Sequence, residues 1–214
     1  MHFLSILAAA GTVGLAVAAP GKLKKRAGKF KYIGVNESGP EFGDGKYPGI
    51  YNKDYTWPTL STYDTFLAAG MNTFRINFSM ERMIPNQLTG SLDPGYIGNL
   101  TQQVNYITSR GGYAMIQPHN YGRFYGDIIT DTAGFQAFWQ TLAAPFASNP
   151  NVIFDTNNEY NTMAGVLVAQ LNQAAINGIR ASGATSQVIN VEGNGRSGQL
   201  LYGRYRHDHD ADAA

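Results

Sequence analysis

The sequence contains no cysteine, which removes a disulfide framework, a thiol nucleophile and any thiolate metal site together. It also lacks a charge surplus. Sixteen Lys and Arg stand against 15 Asp and Glu, a formal net charge of +1, and only 14% of residues are charged. No excess of cations exists to neutralise a phosphate backbone, so a nucleic-acid partner is excluded. No Gly-rich phosphate loop follows the first apolar strand, where a dinucleotide-binding fold carries one. What is present, 214 residues at 43% hydrophobic and 12% aromatic, is the composition of a globular chain rather than a disordered one. The length suits one domain, or one and a fraction.

The first 19 residues, MHFLSILAAAGTVGLAVAA, form an apolar run with only His2 in place of a basic start. The run is short for a membrane span and rich in Gly and Ala. It ends in Ala16-Val17-Ala18, small residues of the kind a signal peptidase needs. Residues 1–19 therefore read as a signal peptide, and the mature chain as secreted and extracellular, with no membrane association after processing. Residues 20–26 close on Lys25-Arg26 and read as a pro-peptide ending at a dibasic cleavage site. Cleavage there removes Lys22, Lys24, Lys25 and Arg26 and turns the net charge from +1 to −3. The basic charge thus belongs to the processed piece. Secretion without disulfides is permitted when the core is large enough. Sequons occur at Asn36, Asn77 and Asn99. Asn99, at the start of an expected helix, is the best glycosylation acceptor; the other two sit at expected strand ends.

From residue 29 the chain alternates two kinds of segment. Short β-rich apolar runs occur at 30–35, 72–78, 113–117, 152–156 and 188–191. Between them lie stretches with helical spacing. Ile97, Leu100, Val104 and Ile107 share one face; so do Phe135, Phe138, Leu142 and Phe146, and so do Val166, Leu167, Leu171 and Ile179. A shorter helix over 60–69 is closed by Gly70. Apolar strands alternating with amphipathic helices predict an α/β fold with a parallel sheet covered by helices. A (β/α)8 TIM barrel and an open doubly wound sheet both fit. Polar and aromatic residues crowd just after each strand, which favours the barrel, where chemistry sits at the C-terminal strand ends.

Three of those strand ends carry candidate chemistry. Arg75 interrupts the apolar strand Phe74–Phe78 and must face a polar lumen or pair with a carboxylate, because an unpaired buried guanidinium is too costly. The third strand runs out through Gln117-Pro118-His119-Asn120-Tyr121. The fourth ends Asp155-Thr156-Asn157-Asn158-Glu159-Tyr160. At that barrel mouth, partial desolvation is expected to raise the Glu159 carboxyl toward the range of a general acid. Asn158 beside it is placed to bond a substrate hydroxyl. Glu37, Glu81 and Asp127 also follow strands and read as structural or rim residues.

Together these motifs carry a resemblance. The stretches GVNESGPEFG (34–43), DYTWP (54–58), AAGMNTFRINFSMERMIP (68–85), GSLD (90–93), QPHNYGR (117–123), VIFDTNNEY (152–160) and LNQAAINGIRASGATSQ (171–187) resemble the retaining glycoside hydrolases of family 5, and within them secreted fungal endo-β-1,4-glucanases. The resemblance implies a (β/α)8 barrel and hydrolysis of β-glucan by a monomer that needs no cofactor and no metal. It implies Glu159 as general acid/base and Asn158 on the sugar 2-OH. It implies Arg75 as the group orienting the nucleophile, and His119 with Asn120 at the reacting sugar. Trp57 and Tyr121 supply sugar-stacking faces or, equally, packing. The motifs do not separate cellulose from mannan or another β-glucan.

The resemblance covers residues 29–194 and then stops. A (β/α)8 barrel has eight strands, and only about the first five βα units are legible over residues 27–194. In the family, the nucleophilic Glu lies on the seventh strand, and no position here matches it. Glu192, at the end of the fifth strand, is a poor substitute. Residues 195–214, GRSGQLLYGRYRHDHDADAA, read as an aberrant tail, and the HDHD cluster as solvated tail rather than a metal site. The expectation is a chain with half of a retaining pair. The alternatives are a non-catalytic glucan-binding fragment and a non-functional truncated product.

Overall fold

The computed structural model describes residues 30–194. The expected signal peptide, pro-peptide and tail lie outside those residues. In chain order the described elements are β1 (Gly34–Glu37), α1 (Leu60–Ala68), β2 (Thr73–Phe78), α2 (Met80–Met83), α3 (Pro94–Thr108), β3 (Tyr113–Pro118), β4 (Arg123–Phe124), β5 (Asp127–Ile128), α4 (Thr132–Ala143), β6 (Val152–Asp155), α5 (Gly165–Ala181) and β7 (Val188–Asn190).

Five of the strands make one sheet in the order β1-β2-β3-β6-β7, and every pairing in it is parallel. Spatial order equals chain order, with helices in each crossover. A doubly wound sheet reverses direction at a switch point; this one winds in one direction only, as a β/α barrel does. The expected strand at 30–35 begins later, at Gly34, because its partner β2 begins at Thr73, which registers with Gly34. Phe30 is left 72% exposed. Within the described residues β1 pairs only with β2, and β7 only with β6. The antiparallel pair β4–β5 was not expected: two residues on each side, turned through Tyr125 and Gly126 at φ 52° and 88°, are too short to leave a period.

Side-chain alternation places the core. On β2, Phe74, Ile76 and Phe78 are fully buried in the apolar cluster, while Arg75 and Asn77 face the other way and meet polar partners. Ile116 and Phe154, registered side by side on β3 and β6, extend the same layer. Helix starts are set by capping. The Asp93 carboxylate accepts from the Tyr96 amide at 2.7 Å ahead of Pro94, and Asp131 accepts from the Gly134 amide at 2.9 Å. Leu100, Val104 and Ile107 of α3 and Phe135, Phe138 and Leu142 of α4 are buried as their spacing required, with Phe146 buried on a short 3-10 turn after α4. On α5 the inward face is Val168, Leu171, Ala175 and Ile179; Val166, assigned to it from the sequence, is 73% exposed because it stands in the first turn on the opposite side. Among the described residues no helix is long and apolar enough to cross a membrane.

Helices α4 and α5 cross with backbones in near contact. A Cβ at Gly178 would stand 2.2 Å from the Gln136 carbonyl oxygen. Gly178→Ala must therefore push the helices apart, at an expected cost of about 1–3 kcal/mol. Gly98→Ala in α3, where nothing lies within 4 Å, should be neutral or stabilising, since alanine is the better helix former. Urea midpoints of the two variants against the parent check the contrast.

Candidate active site

Because the five strands run parallel, their C-terminal ends gather on one rim, and the sequence placed its candidate residues at those ends. Arg75 is the hub. Its Nε donates to Asp155 Oδ2 at 2.8 Å, Nη1 to Asn36 Oδ1 at 3.2 Å, and Nη2 to Asn158 Oδ1 at 3.2 Å and Glu192 Oε1 at 2.9 Å. The guanidinium is thus paired with two carboxylates, as its position inside an apolar strand demanded.

These contacts fix the neighbouring side chains. Arg75 only donates, so the Asn158 atom facing it is the oxygen, and the Asn158 amide nitrogen points to His119 Nε2 at 3.4 Å. That nitrogen only donates, which makes Nε2 the acceptor and leaves the ring proton on Nδ1, facing Gln117 Oε1 at 3.4 Å. The Tyr121 hydroxyl completes the set at 3.0 Å from Nε2, its ring edge-on to the imidazole. Burial holds the His119 imidazole below its ordinary pKa, which agrees with the neutral tautomer. Arg75, Asn158, His119 and Tyr121 therefore form one continuous polar cluster beside Glu159.

Glu159 follows β6 in a left-handed conformation, φ 43°. The expected desolvation is not found: the residue is exposed, because it stands on the turn beyond the strand rather than within it. Its backbone N–H donates to Glu192 Oε2 at 2.6 Å. Glu192 thus meets both Arg75 and Glu159, a placement the sequence did not indicate, since an acidic residue after an apolar strand says nothing about its partners.

Two residues expected at the substrate are engaged within the protein. Asn120 is 8% exposed and lines the cleft, while its side chain is bonded within the protein: its Oδ1 accepts from the Met80 amide at 3.0 Å, and its Nδ2 donates to both Glu81 oxygens at 2.9 and 2.8 Å. Glu81, itself buried, also accepts from Ser79 Oγ and the Tyr125 amide, so the pair braces the β3–β4 connection. Trp57 belongs to the core, 6% exposed with its ring edge-on to Tyr96 at 5.0 Å, which is the packing alternative of its two readings. Tyr121 keeps partial exposure at 38%. It lines a cleft of about 360 Å³ with His119, Glu41, Phe42, Asp44 and Tyr47. One wall of that cleft is held by Arg82, whose guanidinium donates to the carbonyls of Pro40, Gly43, Lys46 and Pro48. Asn99 lies on the second turn of α3, half-buried, with its amide on the Gly95 carbonyl; Asn77 is fully buried. Among the described residues no group of three or more His, Asp or Glu is arranged to hold a metal.

The acids at the hub favour protons. Burial pushes the Asp155 carboxyl up to about 7, against the pull of Arg75, and its Oδ1 is buried without a partner. Burial likewise raises Glu192. A folded-state value above the ordinary 3.8 means that the native state binds the Asp155 proton more tightly than the unfolded chain does. That stabilisation is complete below about pH 3.8 and is lost as pH rises through about 7. Urea midpoints are expected to fall between pH 5 and pH 8, and Asp155→Asn to flatten the decline; a midpoint that rises over this interval contradicts the assignment.

A singly wound parallel β/α sheet that collects Arg, His, Asn and Glu at its C-terminal rim has the architecture of a β/α-barrel hydrolase. The chain belongs to the cellulase family, glycosyl hydrolase family 5, whose model matches residues 35–212. It is 61% identical over 168 residues to endoglucanase gh5-1 of Neurospora crassa, covering 78% of this chain and 43% of that protein. It is 54% identical over 198 residues to a probable endo-beta-1,4-glucanase B of Neosartorya fischeri, covering 92% and 59%. Among solved structures it is similar to an endo-beta-1,4-glucanase from Xanthomonas axonopodis pv. citri (TM-score 0.73, 35% identity, 77% of this chain and 53% of that one). It is also similar to Cel5A from Hypocrea jecorina (TM-score 0.68, 30% identity, 76% and 55%). The chain spans roughly half the length of the curated relatives it matches.

Proposed function

We propose that residues 30–194 form the acid/base half of a retaining endo-β-1,4-glucanase site that acts, outside the cell and as a monomer, on cellulose or a related β-glucan. The observation that carries the reading is the pinning of Asn158 between Arg75 and neutral His119, immediately before Glu159. Glu159 protonates the leaving glycosidic oxygen and then deprotonates the incoming water. It needs no rearrangement to do so, since its exposed side chain stands at the rim while its backbone is fixed by Glu192. Asn158 presents its remaining amide N–H to a hydroxyl on the reacting sugar. His119 and Tyr121 border the same ring, and the cleft beyond them receives the next one. Arg75 supplies the fixed positive charge that orients acids around the anomeric centre. The relatives' names support β-1,4-glucan as substrate.

Retention requires a second carboxylate about 5–5.5 Å from the first, acting as nucleophile. The two acids at the hub other than Glu159, Asp155 and Glu192, are held by donors of the protein. The test is a hybrid in which residues 27–194 are joined to the C-terminal remainder of the Neurospora relative. It should hydrolyse carboxymethyl-cellulose, and the first product seen by proton NMR should be the β-anomer. An α-anomer, or no hydrolysis by a folded hybrid, would overturn the proposal.

A further inference from the structure

We propose that Glu192 is the positioning residue for Glu159, its carboxylate clamping the Glu159 backbone to the Arg75 guanidinium; this rests on the reading of Glu159 as acid/base. Glu159 has a side chain yet sits at φ 43°, a region that non-glycine residues occupy only when their surroundings impose it. What imposes it is visible. Glu192 Oε2 accepts from the Glu159 amide at 2.6 Å, while Oε1 accepts from Arg75 Nη2 at 2.9 Å. The clamp is itself anchored. Asn172 of α5 donates to the Glu192 carbonyl at 2.8 Å and accepts from Thr156 Oγ1, at the end of β6, at 2.6 Å. A bridge between Tyr160 and Asn194 ties the two segments together just beyond. Glu192 therefore links the two strand ends that carry the site. It is not placed to act as a nucleophile, because each of its oxygens is turned toward a donor of the protein.

The chemistry requires a carboxylate and not merely the shape of one. Both donors, the Glu159 N–H and the Arg75 N–H, need acceptors, and a carboxylate supplies two. In Glu192→Gln one of those positions becomes an NH₂ group that faces another donor. The isosteric change thus opens the clamp on one side while leaving volume and packing intact. The charged and titratable groups facing Glu192 are Arg75, Asp155, Glu159 and Tyr160.

The experiment follows the Glu159 amide proton by nitrogen-15 NMR in the secreted full chain as pH is varied. It should titrate with an inflection above the ordinary glutamate range, since burial raises Glu192. Glu192→Gln should abolish the inflection, and Glu159→Gln should leave it in place. An inflection lost in Glu159→Gln but kept in Glu192→Gln, or absent from the parent, overturns the proposal. A second measurement uses the hybrid. Glu192→Gln should lower kcat about tenfold or more with KM within about twofold, and shift the pH profile of kcat; Glu192→Asp, which keeps two acceptors, should recover part of the loss. Unchanged kcat and pH profile in Glu192→Gln, with Glu159→Gln inactive, defeat the clamp and leave the function standing. A harmless Glu159→Gln defeats the function while the amide titration still reports the clamp.

Discussion

Glu159→Gln in the hybrid is expected to lower turnover of unactivated glucan by roughly 10²–10⁴-fold, the range a positioned proton donor contributes. The leaving group is a sugar alkoxide, which departs badly without a proton, and a carboxamide has none to give at ordinary pH. The substitution keeps the shape of the side chain. It also keeps the backbone N–H that Glu192 grips, since that contact belongs to the main chain. Glu159 is exposed, so its replacement should shift folding stability by no more than about 0.5 kcal/mol. The loss is then chemical and not structural. An aryl glycoside whose phenol leaves without protonation separates the two steps. Its first step should survive the substitution, its second should not, and added azide, a nucleophile that needs no base, should restore turnover. A variant with the parent's rate on cellulose would show that the acid lies elsewhere.

The parts of this site that were legible in the sequence are those set by local necessity. Apolar runs marked the five strands of the sheet, and helical spacing marked their crossovers. Arg75 was legible because a guanidinium inside such a run has to find a carboxylate; it found Asp155, 80 residues on, and Glu192, 117 residues on. The identity of those partners was not legible, because a strand-end acid looks the same whether it braces, clamps or reacts. Asn120 shows the same limit. Beside His119 it reads as a ligand for sugar, yet its amide is consumed by Glu81, 39 residues earlier, which only the fold brings within reach. Trp57 follows a loop with no period, so nothing in its neighbours announced that the ring turns inward. The β4–β5 hairpin left no trace because a two-residue strand has no alternation to read.

The largest expected effect is an absence. Residues 27–214 alone should release no reducing sugar from carboxymethyl-cellulose above a blank, under conditions in which the hybrid is active. Double displacement needs an acid and an opposing nucleophile, and without the nucleophile the covalent step is lost. The acids nearest the Arg75 hub are held by protein donors or disfavoured as anions, while exposed Asp44 in the cleft accepts only from the Tyr47 hydroxyl. Asp155 is 1% exposed and held by Arg75. Glu81 is buried against Asn120 and Ser79. Glu41 accepts from the Gly39 amide and from Asn77. Glu37 has a buried oxygen with no donor on the edge strand β1, and burial raises its pKa, which disfavours the anion a nucleophile must be. Glu192 spends both oxygens on Arg75 and Glu159, so to attack a sugar it would have to release the acid it positions. Hydrolysis by the purified polypeptide at the hybrid's rate would mean that one of these carboxylates leaves its partners and reacts. Glu192→Gln and Asp155→Asn, assayed in the same polypeptide, would then identify which.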